Sequence, residues 1–577
     1  MPIIPSILAL APAVAALLLT VPADGPQAHG IQAPTPSASH AQGPERPAVP
    51  PAREQPARAV AAVAIAPGTL FSTSDSCMAC HNSLFSPSGQ DVSIGFEWRS
   101  SMMANSSRDP YWHAGVRREV LDHPEAAAAI ENECSACHMP MMQKEAVAGG
   151  AKGQVFHNLP AARGTAPTNV LAADGVSCTV CHQIGAEKLG TRESFNAGFV
   201  VAPPPTPAPR RIFGPYAVDA GRARIMRSAS GFTPAEAEHV RSSEACATCH
   251  TLYTHALGAG GAVVGELPEQ VPYLEWLHSG YRKQKSCSDC HMPLVEQETA
   301  ITSVLGQPRP HFSRHEFRGG NFFMPRMLNR YRIELAVAAL PQELDATAGR
   351  SVDYLERSAA SLSIARSEVR DGRLSAEVVV DNHAGHKLPT AYPSRRAWLH
   401  VAVRDRDGRV VFESGAFSPD GRVQGNDNDA DAARFEPHYV EITRADQVQV
   451  YETIMADQAG QVTTGLLSGV RYVKDNRVLP AGFDKATADK DVAVYGEAAQ
   501  DPDFAGGADR VRYLVDVGNA AGPLKVDAEL CYQSIGFRWA ANLEGRKAPE
   551  PERFVRYYRS MAAGSRAVLA KASVTVQ

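Results

Sequence analysis

Cys77-Met78-Ala79-Cys80-His81 is the first of five strings of the form Cys-x-x-Cys-His, and the reading of the whole chain turns on them. The others are Cys134-Ser135-Ala136-Cys137-His138, Cys178-Thr179-Val180-Cys181-His182, Cys246-Ala247-Thr248-Cys249-His250 and Cys287-Ser288-Asp289-Cys290-His291. They use ten of the 11 cysteines. With 11 cysteines and 19 histidines among 577 residues, composition alone gives about 0.007 such strings by chance. Two thiols at this spacing form thioethers with the vinyl groups of haem, and the adjacent histidine swings under the ring to the iron. Paired Cys-x-x-Cys motifs can also hold zinc, but five pairs leave one without a mate, and zinc gives no reason for the histidine after every second cysteine. The strings therefore predict five covalently bound haem c groups with His81, His138, His182, His250 and His291 as iron ligands.

The region containing them, 69–325, spends roughly 50 residues per string and shows few long periodic segments. It reads as a loop-rich, mainly short-helical domain whose core is haem. Thr233-Pro234-Ala235-Glu236 has the N-cap, N1 proline and N3 glutamate of a helix start. Pro272 opens a helical turn carrying Trp276 and His278, and the Pro-rich tract 202–209 is a spacer. One short pattern occurs twice: Glu97-Trp98-x-x-Ser101-x-Met103 matches Glu275-Trp276-x-x-Ser279-x-Tyr281, and the next string after each runs into His-Met-Pro. It suggests a duplicated haem-binding unit.

Beyond a connector at 326–359 the pattern changes to period two. Leu374, Ala376, Val378 and Val380 alternate with polar residues, as do Leu399, Val401 and Val403, then Val511, Tyr513, Val515 and Val517. Asp407-Gly408 is a hairpin signal between two such runs. Residues 360–535 are expected to form an antiparallel β-sandwich, and 536–577 a helical segment in which Phe554, Tyr557, Tyr558 and Met561 share one face. The predicted class is α+β multidomain: a multihaem domain, a β-sandwich and a C-terminal helix.

Residues 1–23 read as a signal peptide or N-terminal anchor, because Ile3 to Val21 is apolar and Val21-Pro22-Ala23 suits cleavage. Residues 24–68, rich in Ala and Pro, read as a disordered linker. Thioether attachment takes place outside the bacterial cytoplasm, so the expected location is periplasmic or at the cell surface. A net charge of −5 offers no basic footprint for nucleic acid. Haem propionates add further negative charge and favour a partner with a basic face.

Twelve histidines lie outside the strings and the linker, and those that take the sixth iron position decide whether a haem is closed or open to small molecules. His123, His239, His255 and His278 are candidates by their nearness to strings. The Trp-x-x-Ser-x-Met pattern, the Cys-x-x-Cys-His-Met-Pro strings, His315 in His-Glu-Phe-Arg-Gly-Gly-Asn and Gly385-His386-Lys387-Leu388-Pro389-Thr390 resemble multihaem c-type cytochromes with a C-terminal β-domain, of the hydroxylamine oxidoreductase-like group. The resemblance implies His315 and His386 as distal ligands. It also implies a ligand at the last position of Trp-x-x-Ser-x-His; here Met103 stands there, expected to serve one of the first two haems, and Tyr281 stands in the second copy. Arg395 and Arg396 are candidates to pair with haem propionates.

Asn426, Asp427, Asn428, Asp429 and Asp431 supply oxygen of the kind calcium takes, without EF-hand spacing. Cys531 is expected to be a buried, inert thiol. The functional expectation is an exported electron carrier serving other redox proteins or a membrane quinone-oxidising complex. One alternative is an oxidoreductase acting on a small nitrogen or sulfur species at an open haem, without the Cys-x-x-Cys-Lys string of one such branch. Another is a surface-associated structural conduit.

Overall fold

The computed structural model describes residues 70–159, 167–202 and 210–577. The leader, the linker and residues 203–209 of the Pro-rich tract lie outside the described residues. Among the described residues no helix is long and apolar enough to cross a membrane.

The period-two runs form two sheets. In one, Ala360–Arg370, Arg373–Asn382 and Ala508–Asp516 run antiparallel in that order, with Glu441–Ile442 added in parallel at the edge of Ala508–Asp516. In the other, Val410–Ser414, Arg396–Arg404, Leu524–Gln533 and Arg566–Val576 are antiparallel neighbours, and Val450–Tyr451 also pairs with Arg396–Arg404. Leu374, Ala376, Val378, Val511, Tyr513 and Val515 from the first sheet share one buried cluster with Leu399, Val401, Val403, Val526, Ala528 and Leu530 from the second. Alternation with a period of two puts each of these side chains on the inner face of its strand. Gly408 takes φ +81° in the expected hairpin turn. Asp371 and Gly372, both at positive φ, close a two-residue turn between the first pair of strands, as a primed turn requires. The class is mixed α+β.

The helix Pro549–Met561 buries Phe554, Tyr557 and Tyr558 and packs against the helix Pro110–Asp122. Arg117 pairs with Glu550 at 2.8 Å, and Arg553 donates to His113 Nδ1 at 2.9 Å. The C-terminal segment differs from expectation, because after this helix the chain turns into the strand Arg566–Val576. That strand covers the edge of Leu524–Gln533, which would otherwise present unpaired backbone groups. Thr233 to Glu236 also differ from expectation. They belong to a strand, Phe232–Glu236, paired in parallel with Arg210–Gly214. The helix before them, Ala220–Ser230, has already ended at Gly231 in the left-handed region, and a ladder partner outweighs a local capping pattern. The connector contains the helix Pro341–Ser358, and Pro272–Leu277 is helical as expected.

Candidate functional site

Each string sits at or beside a short helix: Asp75–Met78, Ala127–His138, Cys178–Cys181, Ser243–His250 and Cys287–His291. A helical turn brings both thiols of a Cys-x-x-Cys to one side. Serines cap two of these helices, Ser242 accepting from the Ala245 N–H and Ser286 from the Asp289 N–H. Four of the five string imidazoles are oriented by a backbone carbonyl. His81 Nδ1 meets Ile301 O at 2.6 Å, His138 Nδ1 meets Ser106 O at 3.1 Å, His182 Nδ1 meets Phe213 O at 2.6 Å, and His291 Nδ1 meets Arg318 O. A carbonyl can only accept, so Nδ1 carries the proton and Nε2 keeps its lone pair, the state a metal-binding imidazole needs. Burial also lowers the pKa of every string imidazole, to about 4 for His138 and His250, and so favours the neutral form.

Two other imidazoles face string histidines. His182 and His315 have ring centres 6.3 Å apart and planes inclined by 21°; His291 and His386 have centres 6.3 Å apart and planes inclined by 15°. Two imidazoles bound through Nε2 to one metal, at about 2.0 Å per bond and with about 1.1 Å from nitrogen to ring centre, have centres about 6.2 Å apart. His315 turns Nδ1 to Ser313 O at 3.1 Å and His386 turns Nδ1 to Lys387 O at 2.9 Å, so their Nε2 atoms are also free. The residues fit bis-histidine haem at these two places.

The strings approach one another out of chain order. The thiols of Cys77 and Cys178 lie near enough to shift one another, as do Cys137 with Cys249 and Cys246 with Cys287. The imidazoles follow the same pairs, since His81 senses the charge of His182, His138 that of His250, and His250 that of His291. Cys181 in turn senses Cys249. The third string therefore adjoins the first and the fourth, and the fourth adjoins the second and the fifth.

Both copies of the repeated pattern are built into these centres. Glu97 accepts the His315 N–H at 2.8 Å and pairs with Arg314. Glu275 accepts the Lys387 N–H, next to His386, at 3.1 Å, and pairs with Arg477 at 2.8 Å. Lys387, fully buried, and Arg477 both reach Asp475 Oδ2 at 2.7 Å, so two cations and two carboxylates balance in the interior. Sequence reasoning quoted both glutamates within the repeat but gave neither a role; a carboxylate before each repeated tryptophan was the available signal.

The other candidates fall in different places. His123 keeps Nε2 buried without a protein partner. His278 donates Nδ1 to Leu274 O at 2.8 Å and has Nε2 3.5 Å from Asp489. His239 spends Nε2 on Ile184 O at 2.7 Å, and His255 is half-exposed on a strand, 3.8 Å from Glu266. Met103 is half-buried, and its carbonyl accepts the Val176 N–H at 2.9 Å, which ties its backbone to the segment leading into the third string, while Ser106, three residues on, meets His138 of the second string. Gly175 precedes that contact at φ +61°, and a Cβ there would stand 2.7 Å from Met103 O, so the approach requires glycine. Arg395 donates to Thr390 O at 3.1 Å and its charge is felt by His250, His291 and His386.

Arg396 does not stand free for a propionate. It is buried and forks onto Asp429 at 2.7 and 2.9 Å. Of the residues in the calcium reading, Asp429 serves Arg396 and the Val423 N–H, Asp427 pairs with Arg434 and Asn428 donates to Arg434 O, while the Asn426 side-chain nitrogen is buried without a protein partner. Cys531 is fully buried, and burial pushes its thiol up to about 12.

His438, Asp501 and Asp509 also bring three ligand-type atoms together. His438 Nδ1 accepts from the amides of Gln449 at 2.9 Å and Asn476 at 3.2 Å, and these amides are fixed by their other bonds to the Tyr439 N–H and the Glu452 N–H. Nε2 then carries the proton and donates to Asp501 at 3.0 Å, which makes the cluster a closed hydrogen-bond network.

No family model and no curated protein matches the chain. Among solved structures it is similar to a penta-haem cytochrome c552 from Thermochromatium tepidum, with a TM-score of 0.47 and 14% identity, over 88% of this chain and 100% of that chain.

Proposed function

We propose that this chain is an exported five-haem c-type cytochrome that carries electrons between other redox proteins, or between a membrane quinone-oxidising complex and such proteins. The observation that carries the reading is the pair of facing imidazoles, His182 with His315 and His291 with His386, each at the separation of two axial ligands on one metal. Haem bound in this way supplies one-electron exchange without a vacant coordination position. The chain's own part is to hold each imidazole neutral and aimed, through carbonyls on Nδ1 and burial. It also sets the strings near one another, the third beside the first and the fourth, and the fourth beside the second and the fifth.

The deciding experiment is electron paramagnetic resonance of the oxidised protein with carbon monoxide binding to the reduced form. A carrier shows low-spin signals and takes up no carbon monoxide, and nitrite or hydroxylamine leaves its spectrum unchanged. Uptake near one per molecule assigns instead an oxidoreductase acting at one open haem.

A further inference from the structure

The repeat Glu-Trp-x-x-Ser-x-(Met/Tyr) makes a matching set of contacts twice, the second copy with the string that follows it in sequence and the first with the third string, past the nearer second one. In the first copy the Trp98 indole donates to Val176 O at 2.9 Å, and the Met103 carbonyl accepts the N–H of the same Val176 at 2.9 Å. Val176 stands two residues before Cys178. In the second copy the Trp276 indole donates to Lys285 O at 2.9 Å, and the Tyr281 carbonyl accepts the Lys285 N–H at 3.0 Å. Lys285 stands two residues before Cys287. The glutamate before each tryptophan then takes a backbone N–H at a histidine that faces that same string, that of His315 itself, opposite His182, in the first copy and that of Lys387, next to His386 opposite His291, in the second. Each carboxylate is also held by an arginine, Arg314 or Arg477.

We propose that the chain carries one two-sided haem cradle twice, around the third and fifth strings, with Glu97 and Glu275 as the positioning residues that set the orientation of His315 and His386. Tryptophan and the Met/Tyr carbonyl fix the proximal side, and the glutamate fixes the distal side. The helical turn between them makes the two sides one rigid piece. The contact shared by Met103 and Tyr281 is made by their backbone carbonyls, so two chemically unlike side chains can occupy the position, and the Tyr281 hydroxyl adds a bond to His383 O at 3.1 Å. The first cradle is assembled from segments near 97, 178 and 315 and the second from segments near 275, 287 and 386, so the copies are interleaved along the chain. This inference rests on the five-haem reading above.

The test uses the haem-loaded full chain and the g-values of its low-spin signals, which report the relative orientation of axial imidazole planes. His315→Ala and His386→Ala each identify one signal by its loss. Glu97→Ala is expected to shift the signal that His315→Ala removes, and Glu275→Ala the one that His386→Ala removes. Glu97→Gln and Glu275→Gln keep an oxygen for the backbone N–H and are expected to restore the g-values while retaining any change in potential caused by the lost charge. Trp98→Phe, which deletes the indole donor, should disturb the same signal as Glu97→Ala and serves if an alanine variant does not fold. Five haems by mass with g-values unmoved in the alanine variants, or moved equally by Gln and Ala, overturn the cradle. A haem count other than five, or no signal lost in His315→Ala and His386→Ala, overturns the five-haem reading instead.

Discussion

His386 stands with its ring centre 6.3 Å from that of His291, in nearly parallel planes, although 95 residues of chain (386 − 291) separate them. One imidazole belongs to the helix of the fifth string and the other to the turn that follows the strand Arg373–Asn382. A metal held between them would join the string region to the sheets. His386→Ala should therefore open one haem, turning one low-spin signal high-spin and admitting about one carbon monoxide per molecule in the reduced protein. Thermal unfolding of the two regions, monitored at the haem Soret band and in the far ultraviolet, should become less coincident. An unchanged spectrum in the variant would falsify the assignment of His386.

Covalent haem content follows from the five strings. Expressed with a haem-attachment system, the chain should carry five haems that resist acid–acetone extraction, and intact mass should give that number. Cys531 should stay free, since it is buried and its thiol is pushed up to about 12, which keeps the reactive thiolate scarce. A sixth haem, or haem on a Cys531 peptide, contradicts both statements.

The string residues, the alternating strands, the hairpin at Gly408 and the amphipathic face of Phe554, Tyr557 and Tyr558 were legible because each rests on local chemistry or on a short period. The partnership of His182 with His315 was not, because no spacing rule links residues brought together by a chain that folds around other strings. The same holds for the contact order of the strings. Thr233 to Glu236 show the opposite failure: a good local signal lost to a strand partner at Arg210–Gly214. Arg396 reads as a partner for a haem propionate because its carboxylate, Asp429, is 33 residues away in the chain.

That pair gives a stability prediction independent of haem. Arg396 and Asp429 are both buried, bidentate and closed off by Gln533 and Gly421 O. Removing one partner leaves the other charge uncompensated, at a cost of roughly 3–5 kcal/mol. Asp429→Ala should lower the denaturant midpoint by a corresponding amount, whereas the double substitution Arg396→Met with Asp429→Leu should recover most of it. The haem spectrum should be the same in all three proteins. A single variant within ~0.5 kcal/mol of the parent contradicts the account.

The helix Pro110–Asp122 supplies a pH test, because its cap and its buried histidine respond in opposite directions. Asp109 accepts from the N–H groups of Tyr111 at 2.8 Å and Trp112 at 3.2 Å, yet burial outweighs these bonds and pushes its carboxyl up from 3.8 to about 6. A raised folded value favours the protonated form in the native state. Its contribution is thus complete below the unfolded pKa near 4 and is lost as pH rises through 6, by up to roughly 3 kcal/mol. His113 donates Nε2 to Ser107 O and accepts from Arg553 on Nδ1; burial first, then the Arg553 charge, lower it to about 3. Its contribution is complete above 6.5 and is lost as pH falls towards 3. The parent protein therefore mixes the two trends, and a difference measurement isolates the first. Asp109→Asn keeps the cap acceptor without the charge, so it should be more stable than the parent at pH 7, with the advantage fading as pH falls to 4. Unfolding midpoints at pH 4, 5, 6 and 7 measure this gap, and a gap that is constant with pH, or that widens towards acid, rules out the raised carboxyl.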